Sequence, residues 1–354
     1  VNAWPLGPVT VLGACILDVL GRPVEAIPPG QGSVRLTEIR ATAAGTAAGP
    51  AVDLAKLGAS VRVLGALGDD LLGDIVTAAL ARHGVDTTGL VRKQEAQTSA
   101  TILPIRPNGE RPALHVPGAT RLFTRADVDL TTVVNSRALL IGAPDALAGM
   151  TGEDLADVAR AAKNQGALVA VDVLHPGRQQ DLERLAPLLA QADWFLPNAD
   201  QLLALTGQAS LEDAVNDVLR LGTHGVAVTQ GADGCLLATR QQGRAQERLP
   251  ALAVEVVDTT GCGDGFTAGI IAGLLLGAAP ADAAWLGVAC GSLVATGLGS
   301  DAGIESLDQV LDFLSHTQPA VAGRIKDRIK DRIKDRIKDR IKDRIKDRIK
   351  EHMG

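Results

Sequence analysis

The chain is predicted to fold as an α/β protein with a mostly parallel sheet covered by helices on both faces. Short β-branched or Leu-rich runs alternate with amphipathic segments along most of its 354 residues. Apolar residues make up 46% and charged residues 21%, a globular composition that excludes disorder for the bulk of the chain. Aromatic residues reach only 2% with no Tyr, while Gly numbers 39, so the interior must be built from Ala, Val, Leu and Ile between tight turns. That composition also argues against a base-stacking nucleic-acid binder.

Taken in order, the strand-like runs are 9–12, 61–67, 138–141, 168–173, 193–196 and 225–229, with helical patterns such as 70–82, 152–164 and 211–221 between them. Two stretches break this rhythm. Residues 22–40 and 98–116 are rich in Pro and Thr, with strand-like pieces and no helix. They read either as a small side sheet or lid, or as long surface loops. A further strand-like run, 251–257, leads toward a long apolar helix beginning near Gly265. The uncharged stretches 265–281 and 283–300 are interrupted by Gly, Pro280 and Asp282 below the span of about 20 residues that a bilayer needs, so they are read as buried helices.

Charge divides the chain at Arg324. Residues 324–351 carry 14 Lys and Arg against 7 acids, which leaves 21 against 34 on the remainder. An acidic body is repelled by nucleic acid and anionic lipid and suits a protein handling small molecules, with neither nucleic acid nor membrane as partner. From Arg324 the unit Arg-Ile-Lys-Asp repeats six times. On a helix each Ile advances about 40° from the last, so no fixed apolar face is expected. Residues 324–354 are therefore read as a helical or disordered tail projecting from a domain of residues 1–323, or as a basic arm for an acidic partner. Cys15, Cys235, Cys262 and Cys290 are scattered without a C-x-x-C pair, which argues against a zinc site or a disulfide framework. A cytoplasmic location is the expectation, since residues 1–5 lack the basic flank of a secretion signal.

Chemistry concentrates in Val257-Asp258-Thr259-Thr260-Gly261-Cys262-Gly263-Asp264-Gly265-Phe266. A glycine-rich turn into a helix presents backbone N–H groups to an anion. Asp264 would repel phosphate alone; its carboxylate makes sense beside a transferring phosphoryl group, where it can take a proton. A dinucleotide fingerprint fits poorly, because the site is C-terminal and Asp264 would face the pyrophosphate. No Gly-Lys-Ser or Gly-Lys-Thr occurs, so a P-loop is excluded.

The run from Asp258 to Asp264 closely resembles the C-terminal signature of the ribokinase-like, or PfkB, family of carbohydrate and nucleoside kinases. Ala44-Gly45-Thr46-Ala47-Ala48-Gly49, then Leu54-Ala55-Lys56-Leu57-Gly58 and the run from Gly65 to Gly73, resemble its N-terminal signature. Pro117-Gly118-Ala119-Thr120, Pro197-Asn198-Ala199-Asp200-Gln201 and Thr229-Gln230-Gly231-Ala232-Asp233-Gly234 match further landmarks in the same order, and the resemblance covers about residues 8–316. It implies a three-layer α/β/α sandwich with a small β-sheet lid from about 15–42 and 98–116, and transfer of the γ-phosphoryl group of MgATP to a hydroxyl of a sugar or nucleoside. Asp264 would be the general base, with Gly261, Cys262 and Gly263 as anion hole. Asp18, Gly45, Thr46, Gly49 and Asp172 would face the acceptor, with Arg178 near the same cleft. Asn198, Thr229, Gly231 and Gly234 would hold the nucleotide. Asn198, Asp200 and Gln201 would organise Mg²⁺ through water, and Asp258 and Thr260 would border a site for a monovalent cation such as K⁺. Lid strands in the family often pair between subunits, which implies a homodimer. Two positions depart from the pattern: Gly49 stands where the family usually has Asn, and Gln201 where it has an acid.

Overall fold

The β-branched and Leu-rich runs form two sheets in the computed structural model, which describes residues 6–240, 246–334 and 338. In chain order the strands are β1 (Pro8–Gly13), β2 (Ile16–Arg22), β3 (Glu38–Ala44), β4 (Ser60–Gly68), β5 (Asp86–Lys93), β6 (Ala100–Pro104), β7 (Leu114–Val116), β8 (Ala138–Gly142), β9 (Leu168–Asp172), β10 (Trp194–Phe195), β11 (Gly225–Thr229), β12 (Cys235–Thr239) and β13 (Gln246–Leu249). The helices are α1 (Gly45–Lys56), α2 (Leu71–Arg82), α3 (Leu130–Val134), α4 (Gly152–Lys163), α5 (Gln179–Leu189), α6 (Ala199–Thr206), α7 (Leu211–Leu221), α8 (Cys262–Leu276), α9 (Pro280–Val294) and α10 (Leu307–Thr317).

The large sheet runs β13-β12-β11-β10-β9-β8-β1-β4-β5. It is parallel from β11 to β5 and antiparallel at β12 and β13. Side-chain alternation sends Ala138, Leu140, Ala170 and Ala227 to one face, under α1, α2, α8, α9 and α10. Leu139, Ile141, Val169, Val171, Val226 and Val228 go to the other, under α3 to α7. The result is the α/β/α sandwich expected from the sequence. Because the parallel strands point the same way, Gly13, Gly142, Asp172 and Thr229 all come to the carboxyl edge of the sheet, where α/β folds place ligands.

The Pro- and Thr-rich stretches belong to a second sheet, ordered β3-β2-β6-β7. Its strand register aligns Thr42, Asp18, Thr101 and His115 in one row across all four strands. Leu20 and Leu103 share this inner face and pack with Ile105 on Leu298 of the body. Arg40 reinforces the junction, its guanidinium donating to the Leu298 carbonyl at 2.8 Å.

Three sequence expectations change. Residues 251–257 form no strand: beyond β13 the chain leaves the sheet and the N–H groups of Val257 and Asp258 donate to the Ala295 carbonyl. The apolar helix starts at Cys262, three residues before Gly265. The repeat does not simply project, since residues 319–334 are helical and Ile325 and Ile329 are 0% and 4% exposed within the core under α8 to α10. The 40° drift then carries Ile333 to 41% exposure. Arg324 pairs with Asp282, donating from Nε at 2.9 Å, and Arg332 Nε donates to the Leu276 carbonyl at 2.8 Å. The rest of the expected tail lies outside the described residues. No helix among the described residues is long and apolar enough to cross a membrane.

Candidate active site

The first turn of α8 is built by a glycine. Gly261, its N-cap, has φ of +81°, and a Cβ there would come within 2.5 Å of the Ser300 Cα, so only glycine lets the loop pass so close to residue 300. Asp258 locks the approach: it is 1% exposed, its Oδ1 accepts the N–H and hydroxyl of Thr260 at 3.0 and 2.8 Å, and its Oδ2 accepts the Gly299 N–H at 2.9 Å. The N–H groups of Gly263 and Asp264 are left without an acceptor among the described residues, as expected at a helix start. Gly263 is exposed and nothing lies within 4 Å of where its Cβ would stand, so this side of the turn is open. Burial pushes the Cys262 thiol up to about 12, which leaves it protonated and without a chemical task.

Asp264 sits in that first turn, against α1. A Cβ at Gly49 would come within 2.7 Å of the Asp264 Cγ. Burial, and then the neighbouring Asp18 carboxylate, push Asp264 up to about 8, with the Arg111 guanidinium pulling the other way. Asp172, 5% exposed at the end of β9, accepts the hydroxyl of Thr267 one turn along α8 at 3.0 Å. Burial, and then repulsion from Asp264, hold Asp172 well above the usual carboxylate range. Its place is thus behind Asp264, fastening α8 to the sheet.

Asp18, on the small sheet, is 8% exposed and raised to about 6 by burial, with Thr101 and Arg111 opposing and Asp258 reinforcing. Gly45 and Thr46 open α1 beside this row, and the buried Thr46 hydroxyl has no partner among the described residues. Arg178 stands at the N-cap of α5, exposed, with its N–H on Asp181.

Asn198 and Thr229 meet in a parallel bridge at the ends of β10 and β11. Gly231 and Gly234 shape the turn that follows, closed by the Gln230 N–H on the Gly234 carbonyl at 2.8 Å. Asn198 and Gln201 spend their side chains on each other as reciprocal caps of α6, at 2.9 and 2.8 Å. Gln201 Nε2 also donates to the Val173 carbonyl at 2.9 Å, a bond that a carboxylate could not make, and this gives the departure at 201 a structural reason. Of the three residues implied for Mg²⁺, Asp200 is exposed and makes no side-chain hydrogen bond among the described residues. Asp258 Oδ1 takes both Thr260 donors and Oδ2 a single N–H, which leaves Oδ2 a lone pair that could contribute to a monovalent-cation site.

The structure thus brings Asp18, Gly49, Asp172, Gly261, Cys262, Gly263 and Asp264 into one neighbourhood and Asn198, Thr229, Gly231 and Gly234 into another, at the ends of β10 and β11. Sequence reasoning missed Arg111, Thr101, His115 and Thr267, because each enters through strand register or helix packing between distant segments.

A family described as pfkB family carbohydrate kinase matches residues 8–307. A 2-dehydro-3-deoxygluconokinase of Bacillus subtilis is 28% identical, covering 77% of this chain and 86% of that protein. A fructokinase of Oryza sativa is 30% identical over 64% of this chain and 72% of its own. The structure of Arabidopsis thaliana ribokinase with ribose and ATP superposes with a TM-score of 0.74 at 26% identity, over 87% of this chain and 98% of that one.

Proposed function

Since the chain belongs to the pfkB family of carbohydrate kinases and is a sugar kinase of the ribokinase fold, we propose that it moves the γ-phosphoryl group of MgATP to a hydroxyl of a sugar or sugar-like acceptor, with Asp264 as general base. The acceptor oxygen attacks the γ-phosphorus, its proton passes to the Asp264 carboxylate, the bond from phosphorus to the bridging oxygen breaks, and ADP departs with that oxygen. The N–H groups at 263 and 264 face the charge that grows on the phosphoryl oxygens. A base raised to about 8 is well matched to an alcohol that becomes acidic only as it attacks. Asp18 accepts hydrogen bonds from acceptor hydroxyls, and closing of the small sheet keeps water from competing.

The observation that carries this reading is a carboxylate and two unpartnered N–H groups in the same open helix turn. ADP release from MgATP with D-fructose, D-ribose, 2-dehydro-3-deoxy-D-gluconate and a set of nucleosides tests it. Turnover with one of them, lowered about 10²- to 10⁴-fold by Asp264→Asn at unchanged ATP affinity, is the expected result. Thermal stabilisation by sugar or ATP without ADP would instead identify a binding protein.

The outer face of the small sheet carries Ile39, Ile102 and Leu114 at 70%, 58% and 57% exposure. Ile102 and Leu114 are register partners, so their side chains form one apolar strip. This supports a homodimer that pairs the outer faces of two small sheets.

A further inference from the structure

The reaction leaves two histidines without a task. His115, on β7, is the register partner of Thr101, and its Nδ1 lies 3.0 Å from the Thr101 hydroxyl, which in turn bonds Asp18. His175 lies in the loop after β9, its Nδ1 3.2 Å from Asp145 Oδ2. The Asp145 carboxylate also accepts the N–H groups of Leu174 and His175 at 2.9 and 3.0 Å, which fixes that loop. The two imidazoles meet edge to face, centroids 6.4 Å apart and planes at 61°. One ring belongs to the small sheet and the other to the body, and the contact continues the row that begins at Asp18.

We propose that His115 and His175 form a clasp, one imidazole from each side of the cleft, that holds the small sheet over the acceptor and so positions Asp18. What the clasp positions rests on the kinase reading; the clasp itself does not. The hydrogen bond to Asp145 favours a charged His175, while burial and then the His175 charge favour a neutral His115. A cation against a neutral ring is attractive. Two cations repel, so the clasp is shut near neutrality and loosens when acid protonates His115. The charged groups around the pair are Asp145 itself, Asp172 behind it, Asp18 beyond Thr101, and Arg111 in the loop between β6 and β7.

His115→Phe and His175→Gln are positioning variants with two readouts. In the full chain, imidazole NMR titration should show the His115 midpoint rising in His175→Gln while His83 and His316 stay put; a His115 midpoint unmoved by that change overturns the clasp. With whichever of D-fructose, D-ribose or 2-dehydro-3-deoxy-D-gluconate releases ADP, either variant should raise the acceptor KM about 10-fold at pH 7.5, with kcat within about threefold and ATP KM unchanged. Asp18 titrates in the acid range in every variant, so the decisive signal is a steeper acid rise of acceptor KM in the wild type than in the variants. Equal slopes, or parallel loss of kcat and stability, would reduce the contact to packing. If no sugar releases ADP, the kinase reading fails and the NMR coupling alone still decides the clasp.

Discussion

The α-carbon of Gly49 rests against the Asp264 carboxylate, close enough that a Cβ would lie 2.7 Å from its Cγ. One of the two residues that depart from the family pattern is thus where α1 makes room for the Asp264 carboxylate. Gly49→Ala is expected to push the carboxylate out of its place and lower kcat about 10- to 100-fold. Better helix propensity, about 1 kcal/mol, offsets part of an overpacking cost of about 1–3 kcal/mol, so the melting temperature should move little. Gly49→Asn should be at least as damaging. Steady-state kinetics beside a melting curve check both, and full activity in Gly49→Ala would show that the carboxylate works from another position.

Asp264 also ties activity to stability. Its folded-state pKa of about 8 lies above the unfolded value near 3.8, so the native state holds a proton that the unfolded chain gives up between those values. Stability from this group is present in acid and is lost as pH rises toward 8. Asp264→Asn should therefore melt higher than the wild type at pH 8, by about 2–4 °C for each kcal/mol relieved, and the gap should close toward pH 4. Differential scanning calorimetry across that range measures it; a gap constant with pH would mean that the carboxylate is not held protonated by its surroundings. For the wild type, kcat/KM should climb with pH on a limb near 8, and Arg111→Gln should move that limb upward.

Cutting the chain after Gly323 removes Ile325, Ile329 and the partner of Asp282. Loss of two buried isoleucines, about 1.5–3 kcal/mol each, should lower the melting temperature by several degrees and leave α9 more exposed to proteolysis. A cut after Lys334 keeps both residues and should melt like the full chain. Identical melting of the two truncations would show that the first turns of the repeat contribute nothing.

The apolar strip on the small sheet predicts concentration-dependent mass. Sedimentation of the full chain should give a dimer, and Ile102→Lys should give a monomer with a normal circular dichroism spectrum. A monomeric wild type at tens of micromolar would remove the dimer.

Where structure follows from local pattern, the sequence told it well. The near-continuous apolar runs of β1, β4, β8, β9 and β11 are buried on both faces, as central parallel strands require, and the loop before α8 declares itself through Gly261, Gly263 and Asp264. What escaped depends on contact between remote segments. Asp18 and Thr101 become neighbours only because β2 pairs with β6, and no periodicity in either run sets that register. Gly49 reads as a lost side chain until α1 is laid against α8. Residues 251–257 have the composition of a strand but leave the sheet after β13, and Val257 bonds the Ala295 carbonyl instead, which composition does not reveal. The isoleucines of the repeat have no face in common over many turns, yet two turns are enough to bury Ile325 and Ile329.

The inner row of the small sheet is drawn entirely from positions before 117, whereas the turn at 229–234 and the helix start at 261–264 come from the last third of the chain. Under the proposed kinase reading, the acceptor row and the phosphate-binding loops would thus come from separate stretches of one gene. Exchanging the first stretch with that of a relative is then expected to redirect the choice of alcohol, provided that the graft keeps the pairing of β1 with β8 and the packing of α1 on α8.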